Sequence, residues 1–250
     1  MSLFGALGRQ ATLRGCFVTG TDTGVGKTQA SAALLHALAA QGWRVAGLKP
    51  VAAGAEPGED GLVNDDVQTL RRASNVPVSD AEVGPCQLRT ACAPHLAARI
   101  EGVAISRAAL LAAARALAQR AELLVVEGVG GFRVPLGDDW DSADLAVDLG
   151  LPVVLVVGLR LGCLSHALLT AEAVRARGLR LAGWIANPID PAMPLAANNL
   201  ASLTERLLAG FGAPLLGVLP WLPEPAPTRL STHLHPGILA RALALPANRR

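Results

Sequence analysis

Two lysines are unusual in this chain, which otherwise uses arginine for its positive charges. The sequence contains 20 arginines and only two lysines, Lys27 and Lys49. An ammonium group is a compact charge with three rotatable donors, so it can serve chemistry that a planar guanidinium does not. Both lysines follow strand-like runs beside Gly- or Thr-rich turns. Their placement favours a specific role, although biased codon usage could also have left two lysines by chance.

Lys27 lies near the end of a motif at residues 20–28, GTDTGVGKT. An apolar run precedes the motif and an Ala- and Leu-rich stretch follows it, which is the strand–loop–helix context of a phosphate-binding loop. Gly20 and Gly26 are separated by five residues, one more than in the usual G-x4-G-K-[ST] pattern. In such a loop Lys27 should reach the β- and γ-phosphates, and the Thr28 hydroxyl should bind Mg²⁺. The alternative is a glycine-rich turn that binds no nucleotide.

Acidic residues elsewhere could complete such a site, because phosphoryl transfer needs carboxylates that hold Mg²⁺. Glu127 ends the apolar run LLVVE and would face the phosphate loop if the two strands are parallel neighbours. Asp65 and Asp66 begin a helical segment, where one should cap the helix and the other could face the metal. Lys49 precedes Pro50 at a strand end, which would place a second cation at the same edge. Glu127 and Lys49 could instead be ordinary charged residues at strand ends.

Alternating strands and helices are predicted to position these residues. Six continuous apolar runs predict strands that are buried on both faces: residues 16–19, 45–49, 123–127, 152–157, 181–186 and 215–219. Helices are predicted at residues 27–40, 106–119, 141–149, 163–177 and 200–209. This order predicts an α/β fold with a doubly wound, mostly parallel sheet flanked by helices, of the P-loop NTPase type. Ligands then bind at the carboxyl ends of the strands.

Composition narrows the functional classes. The 250 residues show no shift in composition, so we expect one domain over 1–250, with its core at about 15–222 and a tail at 228–250 that forms a terminal helix. The net charge of +2 gives no indication of binding to nucleic acid or to a membrane. The first residues do not resemble a signal peptide, and the longest apolar run, 151–159, is too short to span a bilayer. We therefore expect a cytoplasmic protein.

Two further features are interpreted without assigning them chemistry. The segment 52–63 is rich in Gly and Glu and lacks periodicity, which is typical of a mobile loop over a site. The four cysteines form no CxxC pair, so a zinc site is not expected, and we interpret them as small buried thiols.

Together these residues resemble the dethiobiotin synthetase family of biotin biosynthesis. The matching stretches are FVTGTDTGVGKT (17–28), AGLKPVAAG (46–54), NDD (64–66), VVEGVGG (125–131), LPVVLVVGLRLGCLSHALLTAE (151–172), LAGWIANPID (181–190) and APLLGVLPWL (213–222). Many ATPases share a phosphate loop, but the odd loop spacing, the KPV segment and GCLSHALLTAE are far more specific.

The resemblance implies an ATP- and Mg²⁺-dependent ligase that joins CO₂, or bicarbonate, to 7,8-diaminopelargonate. One amine takes CO₂ to form a carbamate, and ATP phosphorylates the carbamate to a carbamic-phosphoric anhydride. The second amine then closes the cyclic urea of dethiobiotin, and ADP and phosphate are released.

The resemblance also implies roles for individual residues. Lys27 and Lys49 would be catalytic, and Thr28, Asp66 and Glu127 would hold Mg²⁺. The nucleotide would contact Gly24, Val25, Gly26, Lys27, Thr28, Gln29, Asp66, Glu127, Gly128, Val129, Gly130, Asn187, Pro188, Leu219, Pro220 and Trp221. The diamine would contact Thr23, Lys49 and Ala53, and its carboxylate tail would contact Gly162, Cys163, Leu164 and Ser165 of the neighbouring subunit. A homodimer is therefore implied.

Four positions depart from the family pattern. Ala53 replaces a frequent serine, Pro188 replaces a frequent Asp, and Gly24 occupies a position that is often acidic. Ala93 replaces a serine before Pro94. These changes could weaken substrate or nucleotide binding, but they remove no phosphate, metal or lysine role.

Two other functions remain open. A nucleotide-switch ATPase of the partitioning type would share the fold, but such proteins carry an extra lysine early in the loop, where this chain has Thr21 and Asp22. Another amide ligase or cyclo-ligase acting on a different acid is the second alternative, because one sequence does not give the specificity of its binding site.

Overall fold

The computed structural model describes residues 13–59, 61–222 and 226–246. Parts of four expectations lie outside these ranges. The expectation about a signal peptide concerns the first twelve residues, and the expected domain at 1–250 includes all the residues that are not described. The segment 52–63 includes residue 60, and the tail at 228–250 includes residues 247–250.

Strands and helices alternate along most of the chain. The strands are β1 (Gly15–Gly20), β2 (Val45–Leu48), β3 (Val51–Ala53), β4 (Glu56–Gly58), β5 (Gly61–Val63), β6 (Cys86–Leu88), β7 (Leu123–Glu127), β8 (Val153–Leu159), β9 (Leu181–Pro188) and β10 (Leu215–Val218). The helices are α1 (Lys27–Ala39), α2 (Asp65–Ala73), α3 (Asp80–Val83), α4 (Pro94–Glu101), α5 (Arg107–Leu117), α6 (Ser142–Leu149), α7 (Cys163–Ala176), α8 (Ala196–Phe211), α9 (Pro227–Ser231) and α10 (Pro236–Ala242).

A six-stranded sheet in the order β10-β9-β8-β1-β7-β2 forms the centre of the molecule. Every pairing in this sheet is parallel. All residues of β1, β7 and β8 are buried, which explains why these strands are continuous apolar runs. The six predicted strands are confirmed, with each end within two residues of its predicted position.

Successive side chains of the central strands enter two different hydrophobic cores, because strand side chains alternate between faces. Phe17 and Leu124 pack on one face, in the core that includes α5, α6, α7 and α8. Val18 and Val125 pack on the other face, in the core that includes α1, α2, α9 and α10. Helices therefore cover both faces, as in a doubly wound fold.

The order of the strands brings the chemically interesting residues to one edge. Strand β1 lies between β7 and β8, with Val18 opposite Glu127 and Gly20 opposite Val156. Strand β2 pairs with the far side of β7. The carboxyl ends of β1, β2, β7 and β8 consequently lie side by side, at the point where the order of strands along the chain reverses.

The structure corrects two expectations about segments outside the central sheet. Segment 52–63 is not an irregular loop: β3 pairs with β6, and β4 pairs with β5 in an antiparallel hairpin. Strands of three residues are too short to show a periodic pattern, so no pattern in the sequence indicated them. The tail contains two short helices rather than one, because Pro227 and Pro236 each begin a new helix.

Helix positions agree with prediction where a capping residue marks the start. Ser106 caps α5 and Asp141 caps α6, so each of these helices begins one residue after its predicted start. Helix α8 begins earlier and ends later than predicted, and its N-cap Leu195 makes no side-chain cap that the sequence could have revealed. Among the described residues, no helix combines the length and the apolar character needed to cross a bilayer.

Candidate active site

The loop after β1 has the backbone geometry of an anion-binding turn. Gly24 and Gly26 adopt positive φ angles of 75° and 85°, a conformation that favours glycine. Helix α1 begins at Lys27 without a side-chain cap, so the main-chain N–H groups of its first turn are available to a ligand. A Cβ atom at Gly26 would lie 2.1 Å from Asn187 Nδ2, which donates a hydrogen bond of 2.9 Å to the Val25 carbonyl.

Four charged or polar side chains converge beside this loop. Lys49 Nζ lies 2.6 Å from Glu127 Oε1 and 2.8 Å from Asp66 Oδ2. Thr28 Oγ1 lies 2.7 Å from Asp66 Oδ1 and 2.9 Å from Glu127 Oε1, and its single proton can be donated to one of them at a time. Lys49 and Glu127 are only 3% and 0% exposed. The cluster is therefore an ionic network with a buried centre, drawn from β7, α1, α2 and the residue that follows β2.

Opposite charges keep Lys49 and Asp66 ionised despite the effect of burial. Burial pushes the pKa of Lys49 downward, but the carboxylates of Glu127 and Asp66 outweigh this effect and raise the pKa above its ordinary value. Burial pushes the pKa of Asp66 upward, but Lys49 and the Thr28 hydroxyl bring it below its ordinary value. Lys49 is consequently a cation, and Asp66 an anion, at neutral pH.

Lys27 lies on the other side of the loop in a different environment. Burial, and next the neighbouring charge of Lys49, lower the pKa of Lys27 to about 8. Its Nζ donates a hydrogen bond of 3.0 Å to the main-chain carbonyl of Asp22. The side chain of Asp22 accepts from Thr23 N–H at 2.7 Å and pairs with Arg160 at 2.6 Å. No pattern in the sequence indicated a role for Asp22 or Arg160, because the two residues lie 138 positions apart in the chain.

A cavity of about 760 Å³ opens in front of both lysines. It brings together eleven residues for which sequence analysis predicted a role: Thr23, Gly24, Gly26, Lys27, Thr28, Lys49, Ala53, Asp66, Glu127, Val129 and Gly130. Gly128 lies beside it and accepts a hydrogen bond of 3.3 Å from Lys49 Nζ. Cys92 and Pro94, which were not predicted to take part, also line the cavity.

A smaller cavity of about 220 Å³ lies on the far side of the phosphate loop. Five residues predicted to contact nucleotide line it: Gln29, Asn187, Pro188, Pro220 and Trp221. Leu219 does not line it, because this side chain is buried in the core and its N–H donates to the Ala186 carbonyl. Val25 is likewise buried in the core. Any contact of these two residues with a nucleotide would have to use main-chain atoms.

The predicted residues at the start of α7 lie outside both cavities. Gly162 adopts a φ of 96° as the N-cap, and no side chain caps the helix. Cys163 is buried, Leu164 is half-buried and Ser165 is exposed. Leu161 is 86% exposed just before this turn, and Leu169, six residues after Cys163 in α7, is also exposed. Within one chain, this turn does not meet the lysine cluster.

Two expectations about individual residues are wrong. Neither Asp65 nor Asp66 caps α2, because the side chain of Asn64 accepts the N–H groups of Asp66 and Val67. The Asn64 cap leaves the Asp66 carboxylate free to join the cluster. The cysteines are not all buried either: Cys16 and Cys163 are, but Cys86 is half-buried and Cys92 is exposed.

The donor atoms of the cluster fit a hard divalent ion. No group of three His, Cys, Asp or Glu side chains in the described ranges could enclose a metal by itself. Thr28, Asp66 and Glu127 nevertheless offer only oxygen atoms, the ligands that Mg²⁺ prefers, and Mg²⁺ commonly completes its shell with phosphates and water. Glu127 Oε2 is buried without a hydrogen-bond partner. These three residues could therefore hold Mg²⁺ together with a bound triphosphate.

Comparison with known sequences reveals close relatives. The model of a family described as an AAA domain matches residues 14–229. The chain is 54% identical over 219 residues to the ATP-dependent dethiobiotin synthetase BioD of Ralstonia nicotianae, which covers 88% of this chain and 94% of that protein. It is 52% identical over 223 residues to the protein of the same name from a Janthinobacterium species, covering 88% of this chain and 93% of the relative.

Solved structures share the fold at much lower identity. The MinC:MinD cell division protein complex of Aquifex aeolicus matches with a TM-score of 0.51 at 14% identity, covering 95% of this chain and 98% of that one. The MinD cell division protein of the same organism matches with a TM-score of 0.50, also at 14% identity, covering 95% and all of the respective chains. These likenesses confirm the predicted P-loop NTPase fold and carry no information about the substrate.

Proposed function

This chain belongs to the dethiobiotin synthetase family, and from that membership we propose that it closes the cyclic urea of dethiobiotin in an ATP- and Mg²⁺-dependent reaction. Its substrates would be 7,8-diaminopelargonate and CO₂ or bicarbonate. The observation that carries the proposal is the convergence of Lys49 with Thr28, Asp66 and Glu127 beside the phosphate loop that bears Lys27. A second cation and a carboxylate pair at one anion-binding turn suit the transfer of a terminal phosphoryl group.

ATP would bind across the two cavities. The loop N–H groups and Lys27 would bind the β- and γ-phosphates, which lie over the start of α1. The adenine would enter the smaller cavity beside Asn187, Pro220 and Trp221. Because Asn187 Nδ2 already donates to the Val25 carbonyl, its Oδ1 is the amide atom left to accept a hydrogen bond from the base.

Thr28, Asp66 and Glu127 would hold Mg²⁺, which when bound neutralises charge on the phosphates and polarises the terminal phosphoryl group. The ammonium of Lys49 now lies between the two carboxylates. With the triphosphate in place, the same ammonium would be available to the γ-phosphoryl oxygens, on which negative charge develops during transfer.

The diamine would occupy the larger cavity beside Thr23, Lys49 and Ala53. One amine adds to CO₂ and loses a proton to give a carbamate. A carbamate oxygen attacks the γ-phosphorus, and ADP leaves. The second amine then attacks the carbonyl carbon, phosphate leaves and the ureido ring closes. Lys27 and Lys49 act throughout as cations that stabilise the phosphoryl charge, and the cavity positions the two amines for ring closure.

A homodimer would complete the substrate site. In this proposal the turn at Gly162, Cys163, Leu164 and Ser165 binds the substrate tail of the neighbouring subunit. The Cys163 N–H already donates to the Arg160 carbonyl, so the N–H groups of Leu164 and Ser165, which no side chain caps, would donate to the carboxylate. The exposed apolar side chains Leu161 and Leu169 adjoin this turn and support its burial against a second copy. A cytoplasmic location, without nucleic-acid or membrane partners, is part of the same proposal.

Product analysis with the purified chain tests this function. ATP hydrolysis should require both bicarbonate and 7,8-diaminopelargonate, and mass spectrometry should detect the cyclic urea. Hydrolysis stimulated by DNA or lipid instead would support a nucleotide-switch ATPase. Turnover of a different acid, with no reaction of the diamine, would support another amide ligase or cyclo-ligase.

A further inference from the structure

Asp22 places a carboxylate on the wall of a cavity that must accept anions. It lines the larger cavity together with Gly24, Lys27 and Thr28. Under the proposed function, this cavity receives a triphosphate and a carbamate, each of which carries negative charge. An unpaired carboxylate at this position would repel both ligands.

Arg160 neutralises this carboxylate from the neighbouring strand. Its guanidinium lies 2.6 Å from Asp22 Oδ2, across the boundary between the loop after β1 and the loop after β8. The two loops are adjacent because β1 and β8 pair, and Thr21 N–H donates to the Val156 carbonyl at 3.1 Å. The Arg160 main chain is also held in place, since its carbonyl accepts the Cys163 N–H at 3.0 Å.

Asp22 also connects to two residues that face the ligands. Its Oδ1 accepts the Thr23 N–H at 2.7 Å, and its main-chain carbonyl accepts Lys27 Nζ at 3.0 Å. The orientation of Asp22 therefore influences both the phosphate-binding lysine and the threonine assigned to the diamine. Arg160 fixes this orientation through the remaining carboxylate oxygen.

We propose that Arg160 is a positioning residue for nucleotide binding, which acts by neutralising Asp22 and holding it against the phosphate loop. This role rests on the proposed function, because it requires that the cavity bind a triphosphate. The pair is half-exposed, with side chains 43% and 48% accessible, so its contribution to folding stability is small. The main effect of the pair is to reduce the negative charge close to the site where the phosphates would bind.

Calorimetric titration with a non-hydrolysable ATP analogue and Mg²⁺ tests the role. In Arg160→Gln, an unpaired carboxylate faces the ligand, and we expect affinity to fall about tenfold. The double variant Asp22→Asn/Arg160→Gln should bind more tightly than Arg160→Gln, because the repelling carboxylate is gone. Asp22→Asn alone should bind no more weakly than the unmodified chain, since the Arg160 charge then remains unpaired near the phosphates.

A second ion pair of similar exposure provides a matched control. Arg120 and Glu82 also lie 2.6 Å apart, with side chains 40% and 43% exposed, but neither lines the cavity. Arg120→Gln removes the same charge and should leave analogue binding unchanged. In turnover, Arg160→Gln should raise the KM for ATP more than it lowers kcat, and Arg160→Lys should recover part of the loss because it restores the charge.

The outcomes separate this inference from the function on which it rests. If the unmodified chain does not bind the analogue, both are wrong. If it binds and Arg160→Gln binds equally well, or if the double variant binds no more tightly than Arg160→Gln, only the role of Arg160 is overturned. Should Arg160→Gln not fold, Asp22→Asn still decides: a tenfold loss of affinity there would contradict a carboxylate that needs neutralising.

Discussion

The cluster around Lys49 and the turn at the start of α7 differ in how completely one chain satisfies them. In the cluster, the ammonium, the Thr28 hydroxyl and most carboxylate oxygens have partners within 2.9 Å, and the two innermost side chains are buried. The α7 turn has uncapped N–H groups beside Leu161, which is almost fully exposed. The side chains of the cluster have their partners within one folded chain, whereas the α7 turn has main-chain N–H groups without partners among the described residues of its own chain.

This difference separates what a single subunit can do from what the proposed dimer must supply. In the proposed function, recognition of phosphate and metal would draw on residues that the sheet edge already assembles. Recognition of the substrate tail would draw on a surface that lies outside the cavity of its own chain. Changes in the cluster should therefore abolish chemistry, and changes at the α7 turn should affect assembly and diamine binding while nucleotide binding survives.

The largest effect is expected from removing a lysine. Lys27→Gln or Lys49→Gln should lower diamine-dependent phosphate release by about a thousandfold, because cations at the transferred phosphoryl group are central to such catalysis. Steady-state phosphate release measures this effect. Arg206→Gln on the exposed face of α8 is the control for loss of a positive charge, and it should have normal activity.

Lys49→Gln should also destabilise the fold, and it should do so more than Lys27→Gln. Without Lys49, the Glu127 carboxylate is left buried and unpaired, and breaking a buried pair in this way costs about 3 kcal/mol. Urea unfolding followed by circular dichroism measures the difference. Unchanged turnover in either lysine variant would contradict the role of the cluster, and unchanged stability of Lys49→Gln would contradict its burial.

The next effect concerns the metal. Chelation with EDTA should abolish turnover, and added Mg²⁺ should restore it, if Thr28, Asp66 and Glu127 hold the ion. Glu127→Gln preserves shape but removes one charge, so the Mg²⁺ concentration for half-maximal activity should rise at least tenfold. Full activity in EDTA would show that the oxygen cluster serves another purpose.

A smaller effect is expected at the α7 turn. Leu169→Glu should favour the monomer in size-exclusion chromatography and raise the KM for the diamine. Affinity for an ATP analogue should change less than about twofold, because Leu169 lines neither cavity. Leu208→Glu, which replaces a similarly exposed leucine on α8, is the matched control and should alter neither property. Loss of nucleotide affinity in Leu169→Glu would contradict the separation between the two regions.

The smallest effect is a difference in reactivity between two thiols, which is measured without any substitution. Cys92 is exposed at the cavity and should react first with a thiol reagent, and a bound substrate should slow the reaction. Cys16 should not react in the folded chain, because burial raises the pKa of its thiol to about 12. Timed labelling with peptide mapping distinguishes the two, and prompt labelling of Cys16 would contradict the closed core.

Sequence patterns predicted the centre of the molecule better than its edges, for physical reasons. Buried parallel strands are continuous apolar runs, so β1, β7 and β8 were recognisable from composition alone. The phosphate loop was recognisable because it needs glycines and a lysine at fixed spacing. Strands β3 to β6 were missed, because each is only three residues long and forms outside the central sheet.

The candidate site followed the same rule. Residues that end strands, such as Glu127 and Lys49, could be placed because parallel strands end at one edge. The pairing of Asp22 with Arg160 could not be predicted, since it depends on two loops that meet only through the order of strands in the sheet. The Asn64 cap was missed because three consecutive residues could each have begun α2 equally well.

The hydrogen bond from Lys27 Nζ to the Asp22 carbonyl has a consequence for how nucleotide is recognised. The chain has already given up the rotational freedom of this long side chain, which remains ordered before any ligand arrives. In the proposed function, a phosphate oxygen would replace the carbonyl oxygen as the acceptor, and the lysine would not have to be immobilised anew. Little conformational entropy of the Lys27 side chain would be lost on binding, so this part of the site is preorganised.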